Sequence, residues 1–296
     1  MPSSYLIFGG SGLLGSSWAN SQVLNNDNVA IVTHNANSDL NKVKKYSVNS
    51  SSMEEIENLI NTFKPSIIIN SAGITDIEKC ENNYQLAYEA NVNLPKKISK
   101  ISKNNGIKFI HISTDHLFDG KKANYSEEDA IFPLNNYAKT KALAEEEVLK
   151  NNDKSLIIRS NFYGWGPKNR KSFSDLIFDN LSNKKEIFLF EDVFFSPLYM
   201  KDLINFTNFL LFKNLRGVFN LSSNERISKL DFGKKIARTF NFDLNLIIPT
   251  SIEERKDLVL RPKDMSLSNK KFKKYYNEPI DTIEESINKL KKERSK

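Results

Sequence analysis

Short apolar runs recur through the first half of the chain, and helical patterns fill the gaps between them. The runs are Tyr5-Leu6-Ile7-Phe8, Val29-Ala30-Ile31-Val32, residues 66–70 (Ser-Ile-Ile-Ile-Asn), 107–112 (Ile-Lys-Phe-Ile-His-Ile) and 155–159 (Ser-Leu-Ile-Ile-Arg). Their length and β-branched content predict strands, and such continuous apolarity belongs to a sheet covered on both faces. Between them, Ser52-Met53-Glu54-Glu55 reads as a capping box, with Ile56, Leu59, Ile60 and Phe63 at helical spacing until Lys64-Pro65 stops the helix. A longer helical region extends from about Tyr84 to Lys103, and another opens near Tyr137. Five alternations of strand and helix predict an α/β fold with a doubly wound parallel sheet.

After Arg159 the rhythm changes. Residues 161–167 (Asn-Phe-Tyr-Gly-Trp-Gly-Pro) are rich in aromatics and glycine, a composition common where planar ligands are held. Short strands are expected near residues 187–190 and 218–221, and helices near 171–182, 200–213 and 229–240. A last helix carries Ile280, Ile283, Ile287 and Leu290 on one face. This divides the chain into a first domain over residues 1–160, which the motifs below make the dinucleotide-binding one, and a smaller C-terminal α/β region over 161–296 left to bind substrate. No internal repeat is legible.

The first strand ends in Gly9-Gly10-Ser11-Gly12-Leu13-Leu14-Gly15. A strand that turns on glycines into a helix sets free backbone N–H groups and the positive helix end against a phosphate, the arrangement of a Rossmann-type dinucleotide fold. At the end of the second strand, Thr33-His34-Asn35 stands where such a fold meets the adenosine ribose, and no Asp or Glu is there to bond both ribose hydroxyls. NADP(H) is therefore preferred, with NAD(H) left open, since no Arg is present to clasp a 2'-phosphate and Lys42, Lys44 and Lys45 lie further on. Ser71-Ala72-Gly73 ends the third strand with small residues that let a cofactor approach closely. Asn91 has two readings, a cofactor contact or a satisfied structural amide. Ser113-Thr114-Asp115-His116 ends the fourth strand, at the edge where such sheets bind ligands.

Tyr137 and Lys141 lie four apart, so a helix places them on one face. A Tyr has an ordinary pKa of about 10 and exchanges protons poorly at neutral pH unless a fixed positive charge favours its phenolate, which Lys141 is placed to supply. Frequency decides nothing here: 10 tyrosines among so many lysines make about one such pair expected by chance. Position along the fold gives the pair its meaning.

Composition narrows the class. The 296 residues, 39% of them hydrophobic, suffice for a large packed core. No apolar run approaches the roughly 18 residues of a membrane span, the N-terminus lacks a signal-peptide pattern, and the lone Cys80 fits a reducing interior. A cytoplasmic protein without membrane or nucleic-acid partners is expected. The net charge of +7 is concentrated toward the C-terminal end, where bases are interleaved with acids as on a solvated surface. The three histidines, His34, His111 and His116, show no metal-ligand spacing.

Taken in order, these residues resemble the extended short-chain dehydrogenase/reductase superfamily, and most closely the dTDP-4-dehydrorhamnose reductase family. The resemblance rests on the glycine loop, Asn70-Ser71-Ala72-Gly73-Ile74-Thr75-Asp76 with Glu78 and Glu81, and Asn91-Val92-Asn93. It continues through residues 113–120 (Ser-Thr-Asp-His-Leu-Phe-Asp-Gly), Pro133-Leu134-Asn135 before Tyr137, and Arg261-Pro262 near Leu267-Ser268-Asn269. It implies a reductase of a nucleotide-linked 4-keto-6-deoxysugar in which Tyr137 protonates the carbonyl oxygen, Lys141 holds the nicotinamide ribose and Thr114 orients the same oxygen. The cofactor set becomes Gly9, Ser11, Gly12, Leu13, Leu14, Gly15, His34, Ser71, Ala72, Gly73, Asn91, Ser113, Tyr137 and Lys141.

On the substrate side the set is Thr114, Asp115, His116, Asn161, Trp165 and Arg261. His116 departs from the aromatic usual in the family, and the Asn161 to Trp165 segment resembles other nucleotide-sugar enzymes of the superfamily. There Asn161 would touch a diphosphate and Trp165 stack on a sugar, with packing the competing reading for both; Arg261 and Lys263 stand between a diphosphate contact and surface pairing. The resemblance also leaves open an epimerase or dehydratase, a homodimer, and a regulatory subunit of a methionine adenosyltransferase that binds dinucleotide without turnover.

Overall fold

The computed structural model describes residues 3–33, 40, 43–167 and 170–294. In chain order the first elements are β1 (Ser4–Phe8), α1 (Leu13–Leu24), β2 (Asn28–Val32), β3 (Lys44–Tyr46), α2 (Met53–Phe63) and β4 (Ile67–Asn70). They continue with α3 (Ile77–Asn82), α4 (Tyr84–Tyr88), α5 (Leu94–Asn104), β5 (Lys108–Ile112), α6 (Asn136–Asn151) and β6 (Leu156–Arg159). Then come β7 (Phe162–Tyr163), α7 (Phe173–Ser182), β8 (Ile187–Phe190), β9 (Phe194–Phe195), β10 (Leu198–Tyr199) and α8 (Met200–Phe212). The chain closes with β11 (Gly217–Asn220), β12 (Ile227–Ser228), α9 (Lys229–Phe240), β13 (Ile247–Thr250), α10 (Lys270–Lys273) and α11 (Ile283–Arg294).

The five expected strands pair in one seven-stranded parallel sheet of order β3-β2-β1-β4-β5-β6-β11. Its order reverses between β1 and β4, so the loops after these two strands open a crevice at their carboxyl ends. Two members go beyond the expectation: the three-residue β3, and β11, which joins this sheet as an edge although its residues were assigned to the C-terminal region. By compactness the chain divides into interleaved units. Unit 1 holds Met1–Thr114, Asn135–Ile158 and Thr207–Val218; unit 2 holds Asp115–Leu134, Arg159–Phe206 and Phe219–Lys296. The chain passes from one unit to the other after Thr114, Leu134, Ile158, Phe206 and Val218.

In unit 1, Leu6, Phe8, Ala30, Ile68 and Phe109 of the sheet pack with Ile56, Leu59, Ile60 and Phe63 of α2 and Ile98 and Ile101 of α5. The start of α2 follows the expected cap in half: the Ser52 side chain accepts from the Glu55 N–H, while the Glu55 carboxylate accepts from Asn49 N at 2.7 Å. The long helix expected from Tyr84 to Lys103 is broken. Glu89–Asn93 forms a π-helical turn between α4 and α5. Pro95 in the first turn of α5 is the physical reason, because it has no N–H and its ring crowds the carbonyl four residues back, that of Asn91.

Unit 2 has its own core, in which Ile177 and Leu181 of α7, Leu189 of β8, Phe232 and Ile236 of α9 and Ile283, Ile287 and Leu290 of α11 meet. Ile280, expected on the last helix, precedes it. Three two-stranded pairs, β7 with β10, β9 with β12 and β8 with β13, frame this core. Only β8 among them was visible in the sequence.

Candidate active site

The glycine loop is built by close approach. Gly9 has φ +81°, the left-handed region, and a Cβ there would lie 2.6 Å from Ala72 N. A Cβ on Gly15 would meet Gly9 O at 2.3 Å and Ser71 Oγ at 2.9 Å. Ser71 is pinned in turn, its Oγ donating to Phe8 O at 2.9 Å. Gly12 occupies the N-cap of α1 with no side-chain cap, and no acidic residue stands in the first turn. The first N–H groups and the positive end of that helix thus face the crevice without a protein anion. Ser11 is exposed, Leu13 partly so, and Leu14 is buried. His34 and Lys42 lie outside the described residues, while Lys44 and Lys45 sit exposed on β3.

Ser71, Ala72 and Gly73 are partly exposed at the end of β4. Behind them, Asn91 on the π-helical turn is buried and its amide is committed: Oδ1 accepts from Ile74 N at 2.7 Å, and Nδ2 donates to Ile74 O and Thr140 Oγ1, both at 3.0 Å. A Cβ on Gly73 would lie 2.8 Å from that Oδ1. The extra residue of the π turn therefore clamps the loop after β4 to α6.

Helix α6 is capped by Asn135, whose side chain accepts from Ala138 N at 2.9 Å. Tyr137, Thr140 and Lys141 are all buried on it, and Thr140 Oγ1 donates to Tyr137 O at 2.8 Å. Lys141 Nζ donates to Ile112 O at 2.7 Å, so the lysine reaches the strand that delivers Ser113 and Thr114. Burial lowers the Lys141 pKa to about 8, against a smaller upward pull from Glu145. Thr114 is buried, and the buried Ser113 Oγ has no hydrogen-bond partner in the protein. Beneath them His111, fully buried, has its pKa driven well down by burial and by the Lys141 charge, and its Nδ1 meets Asn70 Nδ2 at 3.1 Å. A neutral ring whose Nδ1 accepts from the asparagine satisfies both observations. Neither His111 nor Thr140 was singled out as part of the site in the sequence.

In unit 2, Asp115 is buried and its Oδ2 accepts from Asn161 Nδ2 at 2.8 Å; its Oδ1 lies 3.9 Å from His116 Nε2. The His116 pKa is lowered, first by burial and then by Lys229 and Arg261, with Asp115 opposing. Three of the expected substrate residues, Asp115, His116 and Asn161, thus form one hydrogen-bonded and charged cluster, with Arg261 in its field. Lys263 is spent on pairing with Asp192 and Glu253. Trp165, for which sugar stacking and packing were both open, is engaged in contacts within unit 2. Its Nε1 donates to Leu290 O at 2.9 Å, its ring meets Phe178 and Phe240 edge-on, and the Arg294 guanidinium lies 4.7 Å from its centroid. Lys229, whose charge bears on His116, was not singled out in the sequence either. A lysine at the first position of a helix opposes the helix dipole, and that local conflict was the available signal. Among the described residues no group of carboxylates, histidines and cysteine could hold a metal, and no helix is long and apolar enough to cross a membrane.

The RmlD substrate binding domain family matches residues 3–295. A probable low-salt glycan biosynthesis reductase of Haloferax volcanii is 27% identical over 74% of each chain. The methionine adenosyltransferase 2 subunit beta of Rattus norvegicus is 31% identical over 68% of this chain and 63% of its own. Among solved structures, a dTDP-4-dehydrorhamnose reductase from Bacillus anthracis, in complex with NADP, superposes with TM-score 0.85 at 24% identity, covering 99% of this chain and all of that one.

Proposed function

We propose that this chain, which belongs to the RmlD substrate binding domain family, reduces the 4-keto group of a nucleotide-linked 6-deoxysugar with a nicotinamide cofactor. The observation that carries the reading is the buried pair Tyr137 and Lys141 on α6, with the Lys141 ammonium tethered to the strand end that bears Thr114. The residues of unit 1 fit a dinucleotide: a glycine cradle that a Cβ would fill, an uncapped helix N-terminus and the partnerless Ser113 Oγ. Gly9, Ser11, Gly12, Leu13 and Gly15 would hold its phosphates, and Ser71, Ala72, Gly73 and Ser113 its ribose and ring. When bound, the cofactor supplies the hydride.

The chain's own part is proton transfer and orientation. Thr114 donates a hydrogen bond to the carbonyl oxygen and fixes its direction. Tyr137 gives that oxygen its phenolic proton as negative charge develops there. Lys141, a cation in a desolvated setting, favours the resulting phenolate and bonds the cofactor ribose. Asn91 takes a positioning role, since its amide is already spent on Ile74 and Thr140. Asp115, His116, Asn161 and Arg261 of unit 2 receive the substrate, and Trp165 is assigned to packing.

The test is oxidation of NADPH and of NADH by the purified chain against a panel of nucleotide 4-keto-6-deoxysugars. Oxidised cofactor released in proportion to alcohol product, faster with NADPH, is the expected result. Conversion without net oxidation would mark an epimerase. A second reading, a dinucleotide-binding subunit without turnover, is favoured by the relative from Rattus norvegicus. Stable co-purification with a methionine adenosyltransferase, and no oxidation with any keto-sugar, would replace the first reading with the second.

A further inference from the structure

We propose that Lys229 is the phosphate-binding cation of unit 2, the residue that receives the phosphate oxygens of a nucleoside-diphosphate ligand. The proposal deepens the reductase reading and rests on it for the ligand class. Its ground is the setting of one side chain. Lys229 opens α9, its backbone N–H held by Val193 O at 2.9 Å, so its origin is fixed. Its Nζ lies 3.4 Å from the centroid of Phe195 and 4.8 Å from that of Phe173. Two aromatic faces offer a cation an electrostatic seat, yet they neutralise no charge and satisfy few of its three donors. Among the described residues it has no carboxylate within ion-pair distance. Arg226 shows the contrast three residues earlier: its guanidinium covers Phe194 at 3.6 Å, but its Nε is paired with Asp264 at 2.6 Å.

The surroundings select an anion. Asp115 is the nearest acidic influence on Lys229, and its Oδ2 is already taken by Asn161. The lowered His116 pKa records the charges of both Lys229 and Arg261 against the single opposing carboxylate of Asp115, so two cations meet one anion here. Burial lowers the Lys229 pKa to about 8, with Asp115 opposing, which leaves the ammonium partly deprotonated in mildly basic solution. An oxyanion set against it would restore the proton. Helix dipole, partial burial and lack of a carboxylate all disfavour the charge in the ligand-free protein, and a phosphate relieves all three.

The test is equilibrium binding of dTDP, UDP and GDP, with the corresponding nucleosides as controls, to wild type, Lys229→Met and Lys229→Arg. Expected is a loss of about tenfold or more in diphosphate affinity for the Met variant, recovery of most of it with Arg, and unchanged NADPH and nucleoside binding. A further signature is proton uptake when the diphosphate binds at pH 8.5, measured by calorimetry in buffers of different ionisation heat. It should be present in wild type and absent in both variants. Undiminished diphosphate affinity in Lys229→Met overturns the assignment, as does an equal loss for the nucleosides or for NADPH. If wild type binds none of the diphosphates, the nucleotide-sugar reading itself fails together with the ligand assigned here. The two failures are therefore separable.

Discussion

Lys141 donates from Nζ to the Ile112 carbonyl oxygen at 2.7 Å, tying the middle of α6 to the last residue of β5. Ser113 and Thr114 follow directly, so one hydrogen bond relates the lysine to the strand end that carries the carbonyl-orienting residue. The bond is made in a buried setting that brings the lysine pKa to about 8 from an ordinary 10.5. Below about pH 8 both folded and unfolded chains carry this proton, and the folded state bears the full cost of burying it. Between about 8 and 10.5 the folded state releases it first, so the unfolded state binds more protons and stability rises with pH. Lys141→Met should lack this contribution. Urea titrations at pH 7, 8, 9 and 10 should show wild type gaining on the variant across that window, and a constant difference would refute the assignment.

Replacing Tyr137 by Phe removes the proton donor and leaves the ring that fills the site. Positioned proton transfer contributes about 10²- to 10⁴-fold in rate, and turnover should fall by that order. NADPH affinity, read by fluorescence, should stay within about twofold. Near-normal kcat in this variant would sink the assignment of Tyr137.

Gly15→Ala places a methyl group 2.3 Å from the Gly9 carbonyl oxygen and 2.9 Å from Ser71 Oγ. Both atoms belong to backbone or to a pinned side chain, so the loop must shift. Overpacking of this kind costs about 1–3 kcal/mol. The expected outcome is a lower thermal midpoint together with weaker NADPH binding. Unchanged NADPH affinity would mean that the cradle does not hold the cofactor phosphates.

Much of this was legible beforehand, for identifiable reasons. The strands of the central sheet announce themselves because burial on both faces demands unbroken apolar runs, and Ile67, Ile68 and Ile69 are all buried as such a run requires. The glycine loop is legible because close backbone approach admits no other residue. The two-residue strands of unit 2 are too short for any alternation to register. The break at Glu89–Asn93 hides in an otherwise helical pattern, and only Pro95, four residues after Asn91, hinted at it. Lys229 was passed over because long-range charge neighbours such as Asp115 are not adjacent in sequence.

Asn91→Asp tests the clamp between the loop after β4 and α6. The carboxylate keeps an acceptor for Ile74 N but loses both donors, so Ile74 O keeps only the weak Cys80 Sγ contact, Thr140 Oγ1 only its bond to Tyr137 O, and a charged oxygen now faces both. Losing the buried amide donor in this way costs about 1–3 kcal/mol. A drop in unfolding free energy of that size, with kcat reduced more than NADPH affinity, is expected. A variant of wild-type stability would show that the amide is not holding the two elements together.

Trp165→Ala separates packing from sugar stacking. In the packing assignment the indole supports α11 through its bond to Leu290 O and fills a cluster with Phe178, Phe240 and Arg294. Emptying such a site costs about 3–5 kcal/mol, and an aromatic pair adds to the loss. The variant should therefore unfold at markedly lower urea concentration, while the KM for a turned-over keto-sugar, measured where the variant is still folded, changes little. Trp165→Phe should recover part of the stability, because the ring remains and the bond to Leu290 O does not. If the Ala variant instead keeps its stability and loses substrate affinity by tenfold or more, the ring belongs to the substrate, and the aromatic cluster is its support.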